Sequence, residues 1–350
     1  MKLDAALPPV PMTDVPAIAR AAEDLGFDAL WTTETVHDPF LPHTLIAEHT
    51  TKLHSGTAIA VSFARSPATM AYTAWDLAAQ SNGRFILGLG TQVKAHIERR
   101  FGLEWPDSVT GKLREQIQVM RAFWDTWQTG APLNFRGEYY KITLMSPFFN
   151  PGPLPPFHPP IFDEVQSKMG GQRGAPIYIA GVNTGLARLA GELCDGFHVH
   201  PFHTPQYLNQ VLLPSIRYGA EKAGRRKSDV TISASVFAAS DEAGMAFCRQ
   251  QIAFYASTPS YRPVMQLHGW LAAAEKLSSL AARGQWSEMP AQITDQMLET
   301  FAVLADENDL AAALRQRYTG LADRITLYMP FIPGRKDAFW RGVINKMKSG

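Results

Sequence analysis

Eight short runs rich in β-branched and apolar residues, each followed by a longer stretch of helical period, set the strongest limit on how this chain can fold. The runs lie at residues 2–7, 29–33, 56–61, 84–89, 176–180, 196–200, 230–236 and 324–328. The helical stretches lie at 13–25, 43–53, 67–80, 109–127, 184–194, 205–223, 241–255 and 306–318, and a last helix opens at Asp337. In the first helix Thr13 or Asp14 is the expected cap, Ile18, Ala21, Ala22 and Leu25 share one face, and Gly26 is the stop. Eight strand–helix units predict the α/β class and a closed (β/α)8 TIM barrel rather than an open doubly wound sheet.

Such a barrel uses roughly 250 residues, so about 100 of the chain's 350 must lie in insertions. Two stretches read that way, at about 130–174 and 256–297, in a chain that otherwise reads as one domain over 1–350. Both are expected after strands at the C-terminal face, where barrel active sites sit. The first contains FRGEYY (135–140), a hairpin expectation, and the tract NPGPLPPFHPP (150–160). Its prolines cannot join a central ladder, so the tract is extended, packed as a lid, or a linker between two domains. The second insertion reads as helical.

Composition narrows the function class. Apolar residues at 46% and charged residues at 19% supply a large core. A formal charge of +1 lacks the basic excess of a nucleic-acid binder. Cys194 and Cys248 cannot make a disulfide framework or a cysteine-ligated zinc site. The first residues lack the apolar core of a signal peptide, and no apolar run approaches the roughly 18 residues that cross a bilayer. The expectation is a soluble, cytoplasmic enzyme that engages neither nucleic acid nor membrane.

Several strand ends carry groups with chemical potential. At Gly181–Val182–Asn183 a strand turns into a helix starting at Thr184, and free N–H groups plus the helix dipole can bind a phosphate there. A tight turn capped by Asn183 explains the same residues. His198, His200 and His203 stand close in FHVHPFH, as metal ligands or as polar groups at the barrel mouth; the second reading is preferred, and no metal is expected. WTTETVHDPF clusters Glu34, Thr35, His37 and Asp38 at a strand end, as acid–base groups or as helix caps. LGLGTQ (87–92) brings two glycines to another strand end, which permits close approach of a flat ligand or only turns a barrel corner. Trp31, Phe40, Phe63 and Trp270 frame a planar group or fill the core. No nucleophile elbow or P-loop lysine is present.

Together the segments AAEDLGFDALWTTETVHDPF, SGTAIAVSFARSP, SNGRFILGLGTQ, IYIAGVNTGLARLAGELCDGFHVHP and FYASTPSYRPVMQLHGW resemble the bacterial luciferase-like monooxygenase superfamily, in its coenzyme F-420 (8-hydroxy-5-deazaflavin) branch. The resemblance runs over most of residues 1–348 and implies the same barrel, with a planar tricycle at the C-terminal mouth. It implies a non-prolyl cis peptide at Ala58–Ile59, ring contacts at Thr91 and Gln92, and phosphate contacts at Gly181, Val182, Asn183, His200 and Pro201. His203 falls near the phosphate or substrate, and Phe40, Tyr261 and Arg262 near the substrate. Where deazaflavin relatives carry an Asp-His pair, this chain has Glu34–Thr35, with a histidine only at His37.

The resemblance implies hydride transfer between the deazaflavin and a small organic substrate, with Glu34 and His37 as proton donors or acceptors and Glu98 or His96 as substitutes. The alternative is an FMN-dependent monooxygenase that takes reduced flavin from a partner reductase and uses O2. Arg188 and Arg173 are candidate contacts for the longer deazaflavin tail, or solvated surface charges. A non-catalytic flavin- or deazaflavin-binding protein is the reading from another class. Family precedent implies a homodimer through the helices at 43–53 and 67–80.

Overall fold

The computed structural model describes residues 1–157 and 174–349. Eight parallel strands form the barrel: β1 (Lys2–Ala6), β2 (Ala29–Thr32), β3 (His54–Thr57), β4 (Phe85–Gly90), β5 (Ile177–Gly181), β6 (Gly196–Val199), β7 (Thr231–Val236) and β8 (Arg324–Pro330). Neighbours pair in chain order, and β1 pairs with β8, so the sheet closes with no free edge. No helix among the described residues is long and apolar enough to cross a membrane.

The inside of the barrel is filled by a few large polar and aromatic groups. Arg324 makes two bonds to the Asp4 carboxylate, at 2.8 and 2.7 Å, and the Trp31 indole N–H donates to the same group at 2.9 Å. His198 meets the Trp31 ring edge-on at 4.9 Å and the Tyr178 ring at 5.2 Å. Glycine makes the room. A Cβ on Gly88 would lie 1.8 Å from the Thr57 carbonyl oxygen and 2.8 Å from the His198 ring, and one on Gly56 would lie 2.5 Å from Trp31. The outward faces are buried under the surrounding helices: Leu30, Leu87, Ile179, Phe197 and Ile325 are all fully enclosed.

The third run differs from the expected single strand 56–61. It breaks into His54–Thr57 and Ala60–Val61, and the intervening Ala58–Ile59 peptide is cis. Gly56 pairs with Ile86 but Ala60 pairs with Leu89, so one extra residue bulges from the third strand. The Thr57 hydroxyl replaces the lost ladder bonds, donating to the Gly88 carbonyl at 2.6 Å and accepting from its N–H at 2.9 Å.

The helix expected over 43–53 spans Leu41–His49. The Arg84 guanidinium ends it by donating to the carbonyls of Ala47, Thr50 and Leu53. The first helix, Val15–Leu25, has Asp14 at its cap position but no side-chain cap bond; a 3-10 turn over Met12–Asp14 leads in, and Gly26 closes it in the left-handed region. The stretch expected over 205–223 contains a π-helical turn at Leu208–Leu212 before Leu213–Lys222.

The described part of the first insertion corrects the expectation that both insertions follow strands. Residues 130–157 follow a helix, Val109–Thr129, not a strand. They form the expected hairpin at Phe135–Arg136 and Lys141–Ile142, then run down the barrel's outer flank. Tyr72 donates to the Phe149 carbonyl there, and Phe157 reaches Gly83, just before β4 begins. Residues 158–160 of the proline tract lie outside the described residues. The second insertion does stand at the C-terminal face and is longer than 256–297. Ala238–Ala239, just past β7, pairs with Val303–Leu304, so the helix Glu242–Ala256 belongs to it. The helix that returns the chain to β8 is Leu310–Tyr318.

Candidate active site

Two residues beyond the inward positions Asp4, Trp31, Gly56, Gly88 and Tyr178, the first five strands carry small residues at the rim: Ala6, Thr33, Ala58, Gly90 and Ala180. Ala58 packs against the inner cluster of Trp31, Ile86 and Tyr178, and the Ile59 side chain lies across Gly90. The result is a floor of small residues on that side of the mouth, with Ile59 as its one large side chain, over Gly90. Such a floor suits a flat ligand lying against backbone.

The bulge at the floor's edge is held from outside by Glu34. Its Oε2 accepts from the Val61 N–H and from Arg65, both at 2.6 Å, and its own N–H donates to the Ile59 carbonyl at 3.2 Å. Arg65 also reaches Asp38 at 3.4 Å and covers the Phe40 ring at 5.3 Å. Glu34 is thus occupied in positioning the third strand. Glu34→Gln removes the charge that holds Arg65 and weakens the Val61 bond, at an expected cost of about 1–3 kcal/mol in stability. Urea unfolding measures it; an unchanged midpoint would show that the clamp contributes nothing.

At the other side of the mouth the turn Gly181–Val182–Asn183 leads into the helix Thr184–Leu193, whose first turn has no side-chain cap. The Asn183 amide instead donates to the Ser260 carbonyl at 3.1 Å, tying the turn to the second insertion. A Cβ on Gly181 would meet Leu186 at 2.7 Å, which gives this glycine a packing reason besides ligand approach. Beside the turn is a cavity of about 520 Å³ lined by Asn183, Thr184, Tyr207, Val211, Pro263 and Gln266. Arg262, next to Pro263, has a buried Nε with no partner among the described residues. An uncapped helix start opening on such a cavity fits an anionic group such as a cofactor phosphate.

Between floor and turn stands an aromatic wall. His200 accepts the Phe202 N–H on Nδ1 at 3.1 Å, so its ring hydrogen is on Nε2, 3.3 Å from the Tyr261 hydroxyl. Burial, with His203 nearby, pushes the His200 pKa down to about 3, so the ring is neutral near pH 7. Tyr255 from the insertion packs edge-on against His200 at 4.7 Å and meets the Tyr328 hydroxyl of β8 at 2.6 Å. It bridges β6 and β8 across the end of β7.

The remaining candidates fall elsewhere. His203 is 2% exposed and engaged on both nitrogens, with the His200 carbonyl at 2.8 Å and the Tyr318 hydroxyl at 3.1 Å, so it lies beneath the mouth as a structural link. Glu98 and His96 are exposed on the short helix Lys94–Arg99, where Glu98 pairs with Lys94 at 3.7 Å. His37 is exposed beside a shallow groove at the ends of β1 and β2. Phe40 is buried beneath Arg65, and Trp31 and Phe63 are core. Trp270 stacks on His268 within the insertion. Thr91 is buried at the rim and Gln92 has φ +60°. Half-buried Pro201 follows His200. Arg188 lies over Tyr218, and Arg173 is outside the described residues. Among the described residues no three His, Cys, Asp or Glu side chains converge as a metal site.

Sequence reasoning missed Thr57, Arg65, Tyr255, Tyr328 and the small-residue floor. The floor had a visible signal, a small residue two positions after each inner one. The partnership of Glu34 with Arg65 had none, because nothing in a spacing of 31 residues implies contact.

The chain is similar to an uncharacterized protein of Mycobacterium tuberculosis, at 40% identity over 93% of this chain and 92% of the relative. It is similar to 5,10-methylenetetrahydromethanopterin reductase of Methanolobus tindarius, at 25% identity over 95% of each. It is also 26% identical to the F-420-dependent glucose-6-phosphate dehydrogenase of Amycolatopsis mediterranei, over 86% of this chain and 84% of that one. Among solved structures, the coenzyme F-420-dependent tetrahydromethanopterin reductase of Methanopyrus kandleri superposes with a TM-score of 0.76 at 19% identity, covering 99% and 98% of the two chains. The FMN-bound oxygenating constituent of 3,6-diketocamphane monooxygenase from Pseudomonas putida gives 0.65 at 16%, covering 99% and 97%. Both share the fold. The model of the luciferase-like monooxygenase family matches residues 3–324, a span that takes in the floor, the bulge, the turn and all of the wall but Tyr328, and the chain belongs to that family.

Proposed function

We propose that this protein is a two-electron oxidoreductase that moves a hydride between coenzyme F-420 and a small organic substrate. One observation carries the choice of cofactor. A sequence relative aligned over most of its length is named for dependence on F-420, whereas the FMN-bound neighbour is similar in fold alone. The site is compatible with the choice. A tricyclic ring would lie on Ala6, Thr33, Ala58, Gly90 and Ala180, with Ile59, Thr91 and Gln92 at its edge. Its phosphate would meet the helix start at Thr184 and the Arg262 guanidinium. Bound there, the deazaflavin supplies the hydride chemistry, while the chain orients the ring and keeps water from it. Glu34 serves by fixing the bulge under the ring, and exposed His37 remains the candidate for exchanging a proton at the β1–β2 side.

A paired titration of the apo-protein with coenzyme F-420 and with FMN, followed by fluorescence, tests this. The expected result is deazaflavin binding at least tenfold tighter, about 1.4 kcal/mol. Preference for FMN would replace the reading by the flavin-dependent monooxygenase, whose turnover consumes oxygen and needs a reductase. Binding of neither would remove the cofactor assignment.

A further inference from the structure

The aromatic wall has hydrogen-bonding capacity that the fold leaves unspent. His200 donates its Nε2 hydrogen to Tyr261, because its Nδ1 is taken by the Phe202 N–H. The Tyr261 phenol therefore acts as acceptor toward His200, and its own hydrogen is left for a third group. Tyr255 and Tyr328 share one hydrogen across 2.6 Å, and the pair has a second to donate. Neither hydrogen finds an acceptor in the protein among the described residues. The wall around them is made of His200, Phe202, Phe237, Tyr255, Tyr261 and Tyr328, with Phe202 and Phe237 fully buried. It contains no charged side chain, and its imidazole is neutral.

We propose that this wall is the substrate subsite, and that it takes an uncharged molecule whose carbonyl or hydroxyl oxygen accepts from Tyr261 and from the Tyr255–Tyr328 pair. An anionic substrate group placed there would lose its hydration with no cation to replace it, whereas a neutral oxygen gains two donors. Arg262 follows Tyr261 in sequence and precedes Pro263, which lines the cavity beside Thr184, and no ring contact or hydrogen bond joins its guanidinium to the wall among the described residues. The wall thus selects ketones, aldehydes and alcohols over phosphorylated or carboxylated compounds. The inference rests on the reading above only in assuming that a cofactor ring covers the floor beside the wall.

The test uses the full-length protein and two probes, cyclohexanone and glucose 6-phosphate. Saturation-transfer NMR on the apo-protein and fluorescence of the cofactor-loaded protein read binding independently. The expected result is cyclohexanone binding that weakens roughly three- to tenfold in Tyr261→Phe and in Tyr328→Phe. Glucose 6-phosphate should not compete, and cofactor affinity should be unchanged in both variants. Each substitution keeps the ring and its packing, and circular dichroism verifies the fold. Equal cyclohexanone affinity in wild type and variants, no cyclohexanone binding, or displacement by the anionic probe would overturn the subsite. Failure of the wild type to bind either cofactor would instead overturn the proposed function, and the apo-protein measurement would still decide the wall.

Discussion

Acidification from neutral pH is expected to unfold the protein cooperatively near pH 5.5, with net uptake of about four to five protons. Burial pushes the pKa values of His43, His54, His198 and His200 from 6.5 to about 3, and that of His203 to about 4. Well above pH 6.5, at about pH 7.5 and higher, these rings are neutral in both the folded and unfolded chain, so they cost no stability there. Between pH 6.5 and 4 the unfolded chain binds protons that the folded chain refuses, and stability falls as pH falls. At pH 5.5 each ring costs about 1.4 kcal/mol, so the five together cost roughly 7 kcal/mol. That is comparable to the roughly 5–15 kcal/mol of net stability of a folded protein. His200 is the most exposed of the five and contributes least. Far-ultraviolet circular dichroism against pH, with proton uptake on a pH-stat, measures the transition. Retention of native structure at pH 4.5 would show that the folded histidines take up protons and find acceptors after local rearrangement.

The same histidines show what a sequence can and cannot disclose. The barrel was legible because strand and helix differ in period, and eight repeats of that difference leave little freedom; helix bounds such as Pro67–Gln80 follow from local signals alone. The break in β3 was not visible as a local pattern, since GTAIAV reads as one continuous strand; its position came from resemblance. That the first insertion follows a helix and not a strand was not legible, because a proline-rich segment looks the same after either. At the site, Gly181–Asn183 and His200 could be located because they end strands. Their surroundings could not. Whether a histidine is a ligand, a wall or a core link depends on partners such as Tyr318, 115 residues from His203. Glu34 looked like an acid–base group for the same reason. A carboxylate at a strand end is free or engaged according to where Arg65 falls, and sequence spacing does not fix that.

The second large effect is expected from the ion pair inside the barrel. Asp4 is 0% exposed and Arg324 is 3% exposed, and they join β1 to β8, the strands that close the sheet. The pair is bidentate, with the Trp31 indole N–H as a third bond to Asp4 and the Arg324 guanidinium 5.6 Å from the Trp31 ring. Asp4→Ala or Arg324→Met alone leaves an uncompensated charge in the interior and should cost about 3–5 kcal/mol. The combined variant Asp4→Leu with Arg324→Met removes both charges and leaves chiefly the Trp31 N–H without its acceptor, a cost of about 1–3 kcal/mol. The double variant should therefore be more stable than either single one, with a coupling of several kcal/mol in urea unfolding. Strictly additive losses would mean that water reaches the barrel interior and screens the pair. The coupling also bears on the mouth, because Trp31 is held by Asp4 and Ala58 rests on the cluster that contains it. A single Asp4 variant that loosens the Trp31 ring should weaken binding of any ring at the floor, while the double variant, with its interior again uncharged, should recover part of that affinity.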